Sequence, residues 1–474
     1  MERENRGTRA KHGKVRPMNV PAFAVVGHPN KGKSSIVSTL AMDDTVAVSP
    51  VPGTTTQSRA FALRVDGETL YELYDTPGFQ RPRAVLEWLD REKVPAHLNA
   101  DRVRRFVYEH RSDPRFSDEI ELLTPLLDGA GILYVVDGAK PYGSEYETEM
   151  EILRRTGRPS MALINRIGDT DHIEDWKRAL GHYFRLVRVF NPMKAGFSQH
   201  IQLLESMAQL DENWTPRMRH AVSVLREDRR RRIAKSADTV ARLAAAALSY
   251  TLSEKLHGDT ADEAEKTRLT QRYRDGLRTL ERKAFDTLAQ LWRHRRLERA
   301  TGALPLEGVD LFSAQSMELF GLKKRDLIVA GTLAGAATGS GVDLALGGTS
   351  LMLGSAVGAL LGGAGSALGF SSLAKTNILG TTLGGKVLRI GPVSDTQFGF
   401  VLLGRALHFA SELAARTHAD RHELVLTPAP PLLRTDIKKL GKFHRRFRDG
   451  HTDAKLVGAY ARHIEELLLA RIEH

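Results

Sequence analysis

Residues 21–41 read PAFAVVG, HPNKG, KSSIVSTLA. A short apolar run that stops at a glycine is the pattern of a buried parallel strand, and the apolar spacing after residue 33 is helical. Between the two lies Gly27-x4-Gly32-Lys33-Ser34. Glycines at those positions let successive backbone N–H groups turn inward and cradle an anion at a helix N-terminus. A lysine directly after the second glycine reaches β- and γ-phosphates, and the following serine offers a hydroxyl to Mg²⁺. Strand, glycine loop and helix in this order commit the start of the chain to an α/β fold around a phosphate-binding loop.

Further strands follow. RAFALRV and ETLYELYD flank an Asp66-Gly67 hairpin turn, and the second ends in Asp75-Thr76-Pro77-Gly78. A carboxylate at a strand end beside such a loop commonly holds Mg²⁺ through water, and a glycine amide nearby can approach a γ-phosphate. GILYVVD (131–137), SMALIN (160–165) and FRLVRVFN (184–191) complete the set. This alternation of strands and helices predicts a doubly wound, mostly parallel sheet.

The motifs GxxNxGKSS, PGTTT and DTPG, taken together, resemble the Era/EngA-like branch of the translation-factor class of small GTPases, over about residues 20–210. The resemblance implies GTP and GDP as ligands and Mg²⁺ as cofactor. It implies that Gly27, Asn30, Lys31, Gly32, Lys33, Ser34 and Ser35 hold the phosphates. Thr55 becomes the switch I threonine, Asp75 and Gly78 the switch II pair, and Ser34, Thr55 and Asp75 the metal set. Lys33, Thr55 and Gly78 are then the groups that serve hydrolysis. Asn30 resembles the residue that helps bind K⁺ in some of these relatives; the alternative is that it only shapes the loop.

Two positions depart from the family pattern. Guanine is read there by Asn-Lys-x-Asp, whereas this chain has Asn165-Arg166-Ile167-Gly168-Asp169, with the acid one residue late. Either the loop bulges to bring Asp169 to the base, with Arg166 stacking over it, or base selection is relaxed. Phe79 follows Gly78, where many GTPases place a water-orienting glutamine. Hydrolysis is then slow alone, or depends on a partner or a cation.

More than 50 residues separate Gly78 from GILYVVD. The insertion, 80–128, contains two stretches of helical spacing with basic outer faces. It is either an effector surface sensitive to the bound nucleotide or a helical decoration on the sheet.

The first domain is expected over 20–212, after a basic disordered tail at 1–19. The rest reads as a mainly α-helical C-terminal domain, and the overall layout resembles bacterial GTPases fused to a domain called DUF3482. Residues 217–256 and 262–297 read as two long amphipathic helices of an antiparallel hairpin (217–300), turning at His257-Gly258-Asp259. Within 301–474, segment 327–370 holds 44 residues with one charge, Asp343, and glycines at 331, 335, 339, 354, 358 and 362. That spacing lets two helix backbones approach, as a glycine-zipper hairpin, in lipid or in a packed core. Residues 386–392 suggest a strand, 398–417 a buried helix, and two basic amphipathic helices close the chain.

The net charge of +12 favours an anionic partner, a membrane surface or nucleic acid, although no RNA-binding signature accompanies it. With no cysteine, thiolate metal sites and disulfides are excluded, and no histidine spacing is of zinc type. A cytoplasmic location, with or without membrane association, is expected. Three readings remain: a GTP-hydrolysing switch with a helical effector region and a protein effector, a membrane-inserting dynamin-like mechanoenzyme, and a non-hydrolysing nucleotide sensor or scaffold.

Overall fold

The computed structural model describes residues 20–43, 57–166, 172–255, 262–294, 310–323, 326, 371–373, 387–420 and 432–472. Thr55, Asp169, the 1–19 tail, the His257-Gly258-Asp259 turn and the 327–370 segment therefore lie outside the described residues. The chain divides into two compact units. The first holds the residues up to Asp228 together with Thr417–Asp420, and the second holds Arg229–Arg416 and Arg421–His474.

In the first unit the elements run β1 (Ala22–Val26), α1 (Lys33–Ala41), β2 (Arg59–Val65), β3 (Glu68–Asp75), α2 (Pro82–Asp90), α3 (Asn99–His110) and α4 (Ser117–Leu127). They continue with β4 (Gly131–Asp137), α5 (Glu145–Arg155), β5 (Ser160–Asn165), α6 (Ile173–Leu180), β6 (Leu186–Val189), α7 (Phe197–Met207) and the start of α8 (Thr215–Leu248). The six strands form one sheet in the order β2-β3-β1-β4-β5-β6, parallel except for the β2–β3 hairpin.

Alternation along the central strands explains why this sheet has two cores. In β1, Phe23 and Val25 join one core with α1 and α7, whereas Ala22, Ala24 and Val26 join the other with α2 to α6. Successive side chains of a strand point to opposite faces, so a run that is apolar at every position must be covered on both. The insertion belongs to the second of these cores. Val85, Trp88 and Leu89 of α2 and Val103 and Phe106 of α3 are buried there, and their outward faces carry the charges.

Residues Thr417–Asp420 also pack in this unit. Ser38 Oγ donates to the His418 carbonyl oxygen at 2.9 Å, and Thr417 Oγ1 to that of Met193 at 3.4 Å.

The second unit is mainly helical. It contains the remainder of α8, β7 (Leu252–Lys255), α9 (Glu263–Leu291), α10 (Ala314–Phe320), β8 (Ser371–Leu373), β9 (Val387–Ile390), α11 (Thr396–Ala415), α12 (Arg434–Arg448) and α13 (Ala454–Ile472). The helix expected over 217–256 in fact ends at Leu248. Leu252–Lys255 instead pairs antiparallel with β9, in a three-stranded sheet of order β7-β9-β8. Four residues of alternating exposure fit either period, and the strand partner decides. Helix α9 likewise stops at Leu291, short of residue 297; its start is fixed by a capping box between Asp262 and Glu265. Helix α11 is long and apolar enough to cross a membrane by those measures alone, but 83% of its apolar window is buried in this unit's own core.

Candidate nucleotide-binding site

The loop from Gly27 to Gly32 joins β1 to α1 and needs unusual backbone at three points. Gly27 has φ 139°, Asn30 φ 61° and Gly32 φ 82°. A Cβ at Gly27 would lie 2.4 Å from the Val135 carbonyl oxygen, so no side chain fits there. Asparagine is among the few other residues that tolerate the left-handed region, which accounts for residue 30 as a shaper of the loop. Gly32 is the N-cap of α1, so the first amides of that helix face the loop with no side-chain cap.

Lys33 is buried and donates from Nζ to the carbonyl oxygens of Gly27 and His28, both at 3.1 Å. Burial lowers its pKa to about 8, with the charge of Asp75 acting in the opposite direction. Ser34 Oγ donates to Asp75 Oδ2 at 2.8 Å, which puts the hydroxyl of α1 against the carboxylate at the end of β3. Hydroxyl and carboxylate oxygens are the ligand type Mg²⁺ takes, so this pair fits the ion. Asp75 is itself fixed by the sheet, because β3 pairs in parallel with β1 through Val25. Next to it, Thr76 Oγ1 donates to the Val25 carbonyl oxygen at 2.8 Å. Gly78 then passes over Pro29 so closely that a Cβ there would lie 2.6 Å from the proline ring. The loop after β3 is thereby in direct contact with the phosphate loop.

At the end of β5, Asn165 Nδ2 donates to the Lys31 carbonyl oxygen at 3.0 Å. Arg166 follows with its side chain exposed. Asn191, the residue after Phe190, donates from Nδ2 to the Arg166 carbonyl oxygen at 2.9 Å and accepts from the Met193 amide at 3.0 Å. Its side chain therefore ties two loops together. Residues from the carboxyl ends of β1, β3 and β5 converge here, where open α/β sheets bind ligands.

Phe79 is buried in the insertion-side core and cannot face a water at the phosphates. Gln80 is exposed, and its backbone amide donates to Glu119 Oε1 at 2.9 Å.

Several residues under the loop carry no signature in the motifs. His28 Nδ1 lies 2.9 Å from Glu149 Oε1, and Tyr134 donates to Glu149 Oε2 at 3.0 Å. The Lys31 ammonium sits 5.5 Å from the centre of the Tyr146 ring. Burial lowers the Lys31 pKa, and Asp137, Glu149 and Glu145 oppose the shift. The signal was present in α5: Tyr146, Glu149, Met150 and Leu153 follow i, i+3, i+4, i+7 and all are buried, so a glutamate occupies a core position.

Residues 22–166 match the family model described as 50S ribosome-binding GTPase. Residues 177–466 match that described as domain of unknown function (DUF3482). Among curated proteins, GTPase Der of Agathobacter rectalis is 39% identical over 80 residues, 17% of this chain and 18% of that one. GTPase Der of Rhodopirellula baltica is 32% identical over 127 residues, 27% of this chain and 26% of that one. The chain thus spans about a quarter or less of the length of these relatives. Among solved structures, Era in complex with MgGDPNP and nucleotides 1506-1542 of 16S ribosomal RNA aligns at 19% identity and a TM-score of 0.29. That alignment covers 40% of this chain and 56% of the Era chain.

Proposed function

The chain belongs to the DUF3482 family and carries an Era- and Der-like P-loop GTPase domain, and we propose that it binds GTP and hydrolyses it to GDP and phosphate as a molecular switch. The observation that carries this reading is the convergence of Lys33, the Ser34–Asp75 pair, Gly78 and Asn165 on one loop. In the reaction, a water oxygen forms a bond to the γ-phosphorus, the bond to the β,γ-bridging oxygen breaks, and GDP leaves with the bonding electrons. Lys33 and the amides at the start of α1 stabilise the charge that spreads over the phosphate oxygens. Ser34 and Asp75 are the residues that would hold Mg²⁺, with Thr55 completing the set; the ion, when bound, offsets charge on the β- and γ-oxygens.

Phe79 stands where many GTPases place a water-orienting glutamine. Phe79 is buried, and the backbone amide of Gln80 is held by Glu119. Hydrolysis then depends on a second component, either a protein partner or K⁺ near Asn30. Guanine selection rests on Arg166 and Asp169, in the segment that follows the loop anchor Asn165. The helical domain is the effector region of the switch, and its contact with a membrane turns on segment 327–370.

The test is nucleotide content and phosphate release by the purified full chain with Mg²⁺, comparing GTP with ATP and K⁺ with Na⁺. The expected result is bound guanine nucleotide and GTP-selective release that Lys33→Ala abolishes. Equal turnover by Lys33→Ala, or a chain that takes ATP and GTP alike, overturns the GTPase-switch reading.

A further inference from the structure

Helix α4 spends two acidic residues, Glu119 and Glu121, on the chain that flanks the two nucleotide-sensing loops. Glu119 Oε1 accepts from the amides of Gln80 and Arg81, at 2.9 and 2.5 Å. Two residues along, Glu121 Oε2 accepts from the Ser58 amide at 2.9 Å, and the Glu121 carbonyl oxygen accepts from Ser58 Oγ at 2.5 Å. Gln80 and Arg81 directly follow Gly78 and Phe79, and Ser58 comes three positions after Thr55. The sheet brings these flanks together: Arg59, the first residue of β2, pairs with Asp75, the last of β3.

Glu119 is fully buried at a core position of its helix, in register with Leu122, Leu123 and Leu126. Its second oxygen accepts no hydrogen bond among the described residues. A buried carboxylate in that state depends on the two amides it holds. If Gln80 and Arg81 move away with Gly78, α4 must follow them or be left with an unsatisfied buried charge. Following them, it carries Ser58. A simple cap for α2 would need only a surface side chain at Arg81, and no such cap is made there.

We infer that Glu119 and Glu121 are positioning residues that lock the two nucleotide-sensing loops to one helix, so that both respond together to the γ-phosphate. This rests on the GTPase reading above. The segment entered by the insertion is, on this account, part of the sensing machinery: α2 starts at Pro82, directly after the amides that Glu119 holds.

The experiment measures affinity of the full chain for GDP and for a non-hydrolysable GTP analogue, with Mg²⁺, for the wild type and for Glu119→Ala, Glu121→Ala, the double variant and Glu119→Gln. Each single alanine variant should lower the analogue-to-GDP affinity ratio by about 10-fold, in the range of an allosteric coupling. The double variant should lose little more than either single one, because both break the same link. Glu119→Gln keeps an acceptor oxygen and should restore most of the ratio. Should Glu119→Ala fail to fold, Glu121→Ala, at a half-buried site, carries the test with Glu119→Gln. A merely structural role predicts lower melting temperatures with both affinities reduced alike; that result, or additive losses, overturns the inference. A wild type that binds neither nucleotide defeats the GTPase reading itself, whereas a wild type that discriminates while the variants keep its ratio defeats only the coupling.

Discussion

Asn165 holds the Lys31 carbonyl oxygen at 3.0 Å, so the last residue of β5 fixes the middle of the phosphate loop. Both residues are buried. Removing the amide leaves a buried carbonyl without that donor, at a cost of roughly 1–3 kcal/mol. Asn165→Ala should therefore weaken GDP, GTP and ATP together, by about 5- to 150-fold on that estimate. The ratio of GTP to ATP affinity should move far less. Titration of fluorescent nucleotides gives both numbers; a change confined to guanine nucleotides would make Asn165 a base reader first and a loop anchor second.

Lys33 provides a pH test. Its pKa is lowered to about 8 by burial, from an ordinary value of 10.5. Between those values the unfolded chain binds the proton and the folded one does not, so this group's contribution to the stability of the nucleotide-free protein rises with pH across that window. Nucleotide affinity moves the other way, because phosphates need the ammonium form. Raising the pH from 7 to 9 should weaken binding, and binding at pH 8 to 9 should take up a proton. Calorimetry in two buffers of different ionisation heat measures the uptake; none at pH 8.5 would show that Lys33 stays charged without ligand.

The strands, the phosphate loop and Asp75 were legible because each rests on a local pattern: apolar runs bounded by glycine, or a motif with fixed spacing. What the sequence concealed were the glutamates placed inside apolar stripes. Glu119, Glu149 and Glu281 are each buried at a position where helical periodicity asks for a hydrophobic residue. Periodicity locates such a residue, but its partner is far away in the chain, so its purpose shows only after folding. The strand at 252–255 was hidden for the same reason, since its partner β9 lies more than 130 residues on. Thr417–Asp420 is a third example, four residues after a helix of the second unit that pack in the first.

Glu281 provides the energetic version of this point. Its oxygens accept from Arg405 Nε at 2.6 Å and from Nη2 at 3.0 Å, and Arg405 Nη1 donates to Ser316 Oγ at 2.7 Å. Arg405 and Glu281 are both buried. Glu281→Ala removes both of these carboxylate bonds from a buried guanidinium and should cost about 3–5 kcal/mol. Replacing both, as Glu281→Leu with Arg405→Met, should cost much less, because neither charge of this pair is left buried without the other. Denaturant unfolding of the two variants decides it; equal losses would mean that the site depends on packing and not on the ion pair.

The last prediction concerns acid. His444 is buried in the second unit, its Nε2 lies 2.8 Å from the Tyr460 hydroxyl, and its Nδ1 has no hydrogen-bond partner among the described residues. Gly399 passes so close that a Cβ would lie 2.6 Å from that Nδ1, leaving little room for a water to solvate a proton there. Burial, with the charge of Arg448 adding to it, lowers the His444 pKa to about 3 from 6.5. The unfolded chain therefore takes up a proton that the folded chain refuses, so this group's stabilisation is complete above pH 6.5 and is lost as the pH falls toward 3. His444→Gln keeps a hydrogen-bonding side chain for Tyr460 and cannot be protonated in this range. It should start less stable at pH 7 but lose less stability than the wild type between pH 6.5 and 4. Thermal melts across that range test the difference; parallel curves for the two proteins would show that His444 is protonated in the folded state or that its burial opens in acid. Gly399→Ala is the independent check. Alanine normally favours a helix interior by about 1 kcal/mol over glycine. Here the methyl must push into the imidazole, and overpacking of about 1–3 kcal/mol should outweigh that gain. A stabilised Gly399→Ala would mean that the ring has space to move, and with it room to accept a proton.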